Sequence, residues 1–106
     1  MNTGLATEDI KNIQAVFASF PEVEEAILYG SRAKGTYREG SDIDICLAGG
    51  RLNLSVINTI TQRMDELNLP YLFDMAILHR ITNTSLRDHI SRVGITLYRK
   101  EALPIS

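Results

Sequence analysis

Apolar residues recur at helical spacing between residues 7 and 19, where Ile10, Ile13, Val16 and Phe17 fall on one stripe. Thr7 is the expected N-cap, and Glu8 and Asp9 suit the positive end of the helix dipole. Pro21 ends that period, and the short apolar run Ala26 to Tyr29, closed by Gly30, reads as a buried strand. From Ser31 to Ser41 two glycines and the cations Arg32, Lys34 and Arg38 predict a short helical turn followed by a loop. Asp42 to Leu47 then alternates: Asp42 and Asp44 on one side, Ile43, Ile45 and Leu47 on the other, as in a strand with one buried face.

Gly49-Gly50 breaks that strand, and Asn53 or Ser55 is placed to cap a helix carrying Ile57, Ile60, Met64 and Leu67 on one stripe. Tyr71 to Leu78 predicts a third strand with a single carboxylate, Asp74. A last helix over about Asn83 to Val93 stops at Gly94 and leaves a short extended tail through Leu97 and Tyr98. The expected order is helix, strand, turn, strand, helix, strand, helix. Residues 1–106 read as one domain of a mixed α/β (α+β) class, with no repeat or linker to divide them.

Composition narrows the picture only a little. Hydrophobic residues make up 44% and charged residues 23%, which suits a soluble domain. A net charge of −2 gives no general attraction to nucleic acid or membranes, so any phosphate recognition has to be local. Cys46 is the single cysteine, which rules out an internal disulfide and fits a reducing compartment. Residues Met1 to Ala6 show no secretory signal, and no apolar run reaches the length of a membrane span, so the expected location is cytoplasmic.

The acidic residues carry the candidate chemistry. Asp42 and Asp44, two apart on a strand, leave the same face and repel one another, which a divalent cation would offset. Taken alone, the same pair also describes an ordinary solvated strand face. Asp74 is harder to explain as packing, because Leu72, Phe73, Met75, Ala76, Ile77 and Leu78 around it are all apolar. If its strand lies beside the Asp42–Asp44 strand, the three carboxylates can hold two magnesium ions about 3.5–4 Å apart. Gly30-Ser31, where a strand gives way to a helical turn, would let a phosphate approach the backbone. His79 and His89 show no ligand pattern and are expected as surface or packing residues. Cys46 and Tyr29 are expected in the core, and Tyr37 in a solvated loop.

Gly30-Ser31 is followed by ten residues and then Asp42-Ile43-Asp44. This resembles the Gly-Ser-x10-Asp-x-Asp signature of the polymerase-beta-like nucleotidyltransferase superfamily. The wider string, Leu28-Tyr29-Gly30-Ser31-Arg32-Ala33-Lys34-Gly35 through Ser41-Asp42-Ile43-Asp44-Ile45, is similar to the minimal nucleotidyltransferase (MNT) family. The resemblance covers about residues 24 to 78. It implies the polymerase-beta-like fold, a small mixed sheet flanked by helices. It assigns the β and γ phosphates of a nucleoside triphosphate to Gly30 and Ser31, and both magnesium ions to Asp42 and Asp44. Asp74 becomes the third ligand, helping to deprotonate the acceptor hydroxyl, with Arg32 and Lys34 as candidates for charge neutralisation on the triphosphate.

The implied activity is magnesium-dependent transfer of a nucleoside monophosphate, AMP from ATP foremost, to a hydroxyl, with release of pyrophosphate. Minimal family members are typically paired with a helical HEPN protein, often a toxin ribonuclease. As antitoxins, some attach AMP to the toxin. Two alternatives stay open. One is a non-catalytic, nucleotide-binding antitoxin that neutralises its partner by occupying it. The other is a small-molecule enzyme of the aminoglycoside nucleotidyltransferase type, with a pocket built by a homodimer.

Overall fold

A computed structural model describes residues 3–36, 38 and 42–100. The elements run α1 (Thr7–Ala18), β1 (Glu25–Tyr29), α2 (Ser31–Lys34), β2 (Ile43–Ala48), α3 (Leu54–Asp65), β3 (Phe73–Ile77), α4 (Thr84–Val93) and β4 (Ile95–Arg99), with a 3-10 turn at Leu78–Arg80. The four strands form one sheet in the order β3-β2-β1-β4. β1 pairs antiparallel with both β2 and β4, whereas β2 and β3 are parallel. A parallel pair needs a crossover, and α3 supplies it.

Alternation along the strands produces two unlike faces. Ala26 and Leu28 of β1 join Ile43, Ile45 and Leu47 of β2 in the main core, beneath Ile13 and Phe17 of α1 and Ile57, Ile60 and Met64 of α3. The opposite face is covered more thinly. There Tyr29, Cys46 and Ile90 of α4 form a small second cluster, with Ile27, Leu78, Ile81 and Leu86 packed against it. Asp44 lies between Ile43 and Ile45 in β2, so it belongs to this second face along with Cys46.

Several local expectations shift. Ala6, not Thr7, is the N-cap of α1, and no side chain caps it; Thr7 is the first helical residue. Asn53, rather than Ser55, caps α3: its side chain accepts the Val56 amide hydrogen at 3.0 Å. Asn83 caps α4 the same way through the Leu86 amide at 3.1 Å. The extended tail is a full strand, because Ile95 to Arg99 completes the free side of β1. Gly94 ends α4 without the left-handed turn that stops many helices (its φ is −60°). A side chain there would strike the Ile90 carbonyl and lie 2.6 Å from Ile27 Cγ2, so glycine lets α4 sit down on β1.

The Asn53 cap is exposed and isolated from the core, so it isolates one energetic contribution. Asn53→Ala should cost about 1 kcal/mol. In a domain of this size that lowers the thermal midpoint by about 4–8 °C, with the far-ultraviolet spectrum unchanged below the transition.

A carboxylate face beside a glycine turn

Three elements bring the candidate residues together. Parallel register sets Asp44 of β2 directly beside Asp74 of β3, and antiparallel register sets Asp44 opposite Tyr29 of β1. Asp42 lies just before β2, and the backbone ladder continues past β3 through the Ile43 amide, which donates to the Leu72 carbonyl at 2.8 Å. β1 ends at Tyr29, so Gly30 and Ser31 emerge at the same end of the sheet.

Gly30 has φ 77° and ψ −154°, a conformation essentially reserved for glycine. The space offers a second reason: a Cβ at Gly30 would run into Asp44 Oδ2. The turn and the carboxylate are therefore in contact through the missing side chain. Ser31 opens α2 half-buried, its carbonyl accepting the Thr36 amide at 2.9 Å.

Electrostatics mark Asp44 as the strained member. Its pKa is raised above the ordinary 3.8 by burial first, then by the charges of Asp74 and Asp42, with His89 pulling the other way. Tyr29 feels the same field: burial, then Asp44, Asp74 and Cys46, push its phenol up to about 12, so it stays protonated at neutral pH. Burial likewise pushes the Cys46 thiol up to about 11, which leaves no thiolate nucleophile on this face.

Asp74 is exposed, contrary to its reading as a carboxylate inside an apolar strand. β3 is an edge strand, so its apolar residues cover the core from one side only and Asp74 faces outward. Arg32 also departs from expectation. Its residue is 3% exposed, its guanidinium donates to the Thr3 carbonyl at 2.9 Å and lies 5.0 Å from the centre of the Tyr71 ring. That geometry ties the N-terminal segment to the body of the fold and turns the charge inward. Lys34 and Arg38 are exposed; Tyr37 lies outside the described residues. His79 is exposed in the 3-10 turn.

His89 is the residue that sequence reasoning missed. It lies on α4, and its Nε2 accepts the Gly30 amide hydrogen at 3.1 Å. The Tyr29 ring stands edge-on to it, with centroids 6.3 Å apart and an 80° angle between planes. No local pattern flags a lone histidine on an amphipathic helix; only the tertiary fold brings it to the glycine turn.

Among the described residues, no three His, Cys, Asp or Glu side chains stand in a ligating cluster. The donors present still suit magnesium, which binds hard oxygens through one or two carboxylates plus substrate phosphates rather than in an all-protein cage. The raised pKa of Asp44 points the same way, since a dication would offset both the burial and the neighbouring charges that raise it.

The sequence profile of the polymerase beta nucleotidyltransferase family matches residues 11–102, and the chain belongs to that family. No match was found among curated protein sequences. Among solved structures, the fold is similar to a toxin-antitoxin crystal structure with AMP-PNP (TM-score 0.71, 21% identity, covering 87% of this chain and 74% of that one). It is also similar to the toxin-antitoxin MntA-HepT (TM-score 0.66, 18% identity, 90% and 74% covered). A third match is the complex of a tri-AMPylated Shewanella oneidensis HEPN toxin with its MNT antitoxin (TM-score 0.65, 18% identity, 88% and 71% covered). The mixed four-stranded sheet with its helices is thus the polymerase-beta-like nucleotidyltransferase fold. No helix among the described residues is long and apolar enough to cross a membrane.

Two substitutions separate site strain from site geometry. A carboxyl group whose pKa is raised by folding adds stability below its ordinary value and loses it as pH rises through the raised value. Asp44→Asn removes that loss, so at pH 7 the variant should melt above the parent, and the gap should close as pH falls toward 3.8. Gly30→Ala must find room for a methyl group at Asp44 in a disfavoured backbone region, and should lose about 1–3 kcal/mol in denaturant unfolding.

Proposed function

We propose that this protein transfers a nucleoside monophosphate, AMP in the first instance, from a nucleoside triphosphate to a hydroxyl on a partner protein of the HEPN type, and acts as its antitoxin. The observation that carries the reading is the contact of the Gly30 turn with Asp44, with Asp74 in register beside it. It puts a backbone surface open to phosphate next to carboxylates able to gather cations.

On this reading Gly30 and Ser31 receive the β and γ phosphates, and exposed Lys34 adds positive charge nearby. Asp42, Asp44 and Asp74 would hold magnesium, which when bound neutralises charge on the phosphates and lowers the pKa of the acceptor hydroxyl. The acceptor oxygen attacks the α-phosphorus, its proton passes to the Asp74 carboxylate, the bond from the α-phosphorus to the bridging oxygen breaks, and pyrophosphate leaves. Asp44, fixed between Tyr29 and Asp74 in the sheet, holds this arrangement in place. The protein's main contribution is positioning and fixed charge.

A protein acceptor is favoured by where Asp74 sits. It is exposed on an edge strand, and Leu72, at 74% exposure, stands two residues before it. A hydroxyl on a folded partner can reach such an open edge without entering a closed pocket. The structural likeness to HEPN toxin complexes supports the same class of partner.

The decisive experiment combines the purified protein, magnesium, α-labelled ATP and the product of a neighbouring gene that encodes a helical protein of the HEPN type. Label should appear on the partner and fall at least ~100-fold with Asp42→Ala or Asp44→Ala. Absence of label with every triphosphate, while Asp42→Ala still neutralises the partner, would establish a non-catalytic antitoxin. Label on an aminoglycoside instead would establish the small-molecule enzyme.

A further inference from the structure

Gly30 is held on every side that its backbone offers. Its carbonyl accepts the Lys34 amide at 3.1 Å, its Cα faces Asp44 Oδ2, and its amide hydrogen goes to His89 Nε2 at 3.1 Å. The last bond is the unusual one. β4 leaves no partner opposite Gly30, because its pairing with β1 stops at Leu28↔Ile95. The acceptor comes instead from a side chain 59 positions away in sequence.

The helix that carries this side chain is itself anchored. Ile90, next to His89, is buried in the second cluster, and Asn83 caps the helix start. Arg87 donates to the Leu78 carbonyl at 2.8 Å and to the Ile81 carbonyl at 3.1 Å, tying α4 to the turn after β3. The edge of Tyr29 borders the imidazole. His89 is thus a fixed post, and the Tyr29–Gly30 peptide is oriented against it.

That peptide decides where the turn points. Gly30, at φ 77°, links that peptide to the next one, which carries the Ser31 amide, so a change at this φ would reorient Ser31 relative to Asp44. We infer that His89 is a positioning residue for the triphosphate: by accepting the Gly30 amide hydrogen it holds the Gly30-Ser31 turn in its phosphate-receiving orientation. This rests on the nucleotidyl-transfer reading of the site. The role assigned to His89 is indirect, exerted through the Gly30 amide, whose hydrogen its Nε2 accepts.

The test uses the full-length protein, magnesium and an ATP analogue with a non-hydrolysable α–β bridge. His89→Ala should weaken binding of the analogue by ~10-fold, the scale of one lost hydrogen bond. His89→Gln, whose amide oxygen can accept the same hydrogen, should recover to within ~3-fold of the parent, a rescue that general loss of packing would not give. If His89→Ala does not fold, His89→Phe takes its place as the bulky variant without an acceptor. In the parent protein, a through-hydrogen-bond 15N–15N coupling should link the Gly30 amide to His89 Nε2, and both resonances should shift along the binding isotherm of the analogue. Absence of the coupling, resonances that ignore the analogue while it binds, or equal affinity in the Ala and Gln variants would each overturn the proposal. A parent protein that shows the coupling but binds no triphosphate would bring down the nucleotidyl-transfer reading, and the triphosphate role of His89 with it.

Discussion

The parallel pairing of β2 with β3 is the constraint on which this molecule's site depends. It sets Asp44 and Asp74 side by side, and adjacent like charges are a standing cost to the fold. Parallel strands also cannot be joined by a tight turn, so α3 must cross over and pack on the sheet. The stripe Ile57, Ile60 and Met64 that seats α3 is therefore what holds the carboxylates in register. The core on one face of the sheet sustains the electrostatic tension on the other.

The two faces divide the work. Behind the sheet, α1 and α3 bury Phe17, Ile13, Ile60 and Met64 almost completely. In front, α4 packs into a smaller cluster with Tyr29, Cys46, Ile27, Leu78 and Ile81, leaving Asp42 and Asp74 exposed and Asp44 half-buried. A helix over the whole front face would have buried Asp44 and Asp74 together, at a cost their pairing could not offset. The short α4 instead brings one polar atom, His89 Nε2, to the margin of the site.

Much of this was legible in the chain, for reasons that differ from element to element. α3 announced itself through a strict helical stripe and an asparagine cap, and β2 through alternation that also placed Asp42 and Asp44 on one side. The Gly-Ser to Asp-x-Asp spacing led to the family that the profile match establishes. Other features were hidden because they depend on distant partners. The segment Ile95 to Arg99 looked like a tail until β1 supplied an edge for it. Asp74 looked buried because apolar neighbours do not distinguish an edge strand from a central one. Arg32 sat in a row of cations, and only the fold shows it turned toward Thr3 and Tyr71. His89 had no local signal, since its meaning lies wholly in the amide it meets.

The inward turn of Arg32 bears on how a nucleotide would reach this face. Three carboxylates border it, while the nearest arginine in sequence is occupied within the fold. A triphosphate, strongly anionic itself, would meet repulsion from Asp42, Asp44 and Asp74 that the exposed cations Lys34 and Arg38 could not fully cancel. On the proposed reading, the metal is then needed for binding as well as for chemistry, because it reverses the sign of the field at the point where the phosphates arrive. The same logic accounts for the backbone character of the Gly30 turn. Amide hydrogens carry partial charge without a counter-ion and cannot be drawn into salt bridges with the neighbouring aspartates. A surface so close to carboxylates is better built from peptide groups, held by a side-chain acceptor such as His89 Nε2, than from arginines that Asp44 would capture.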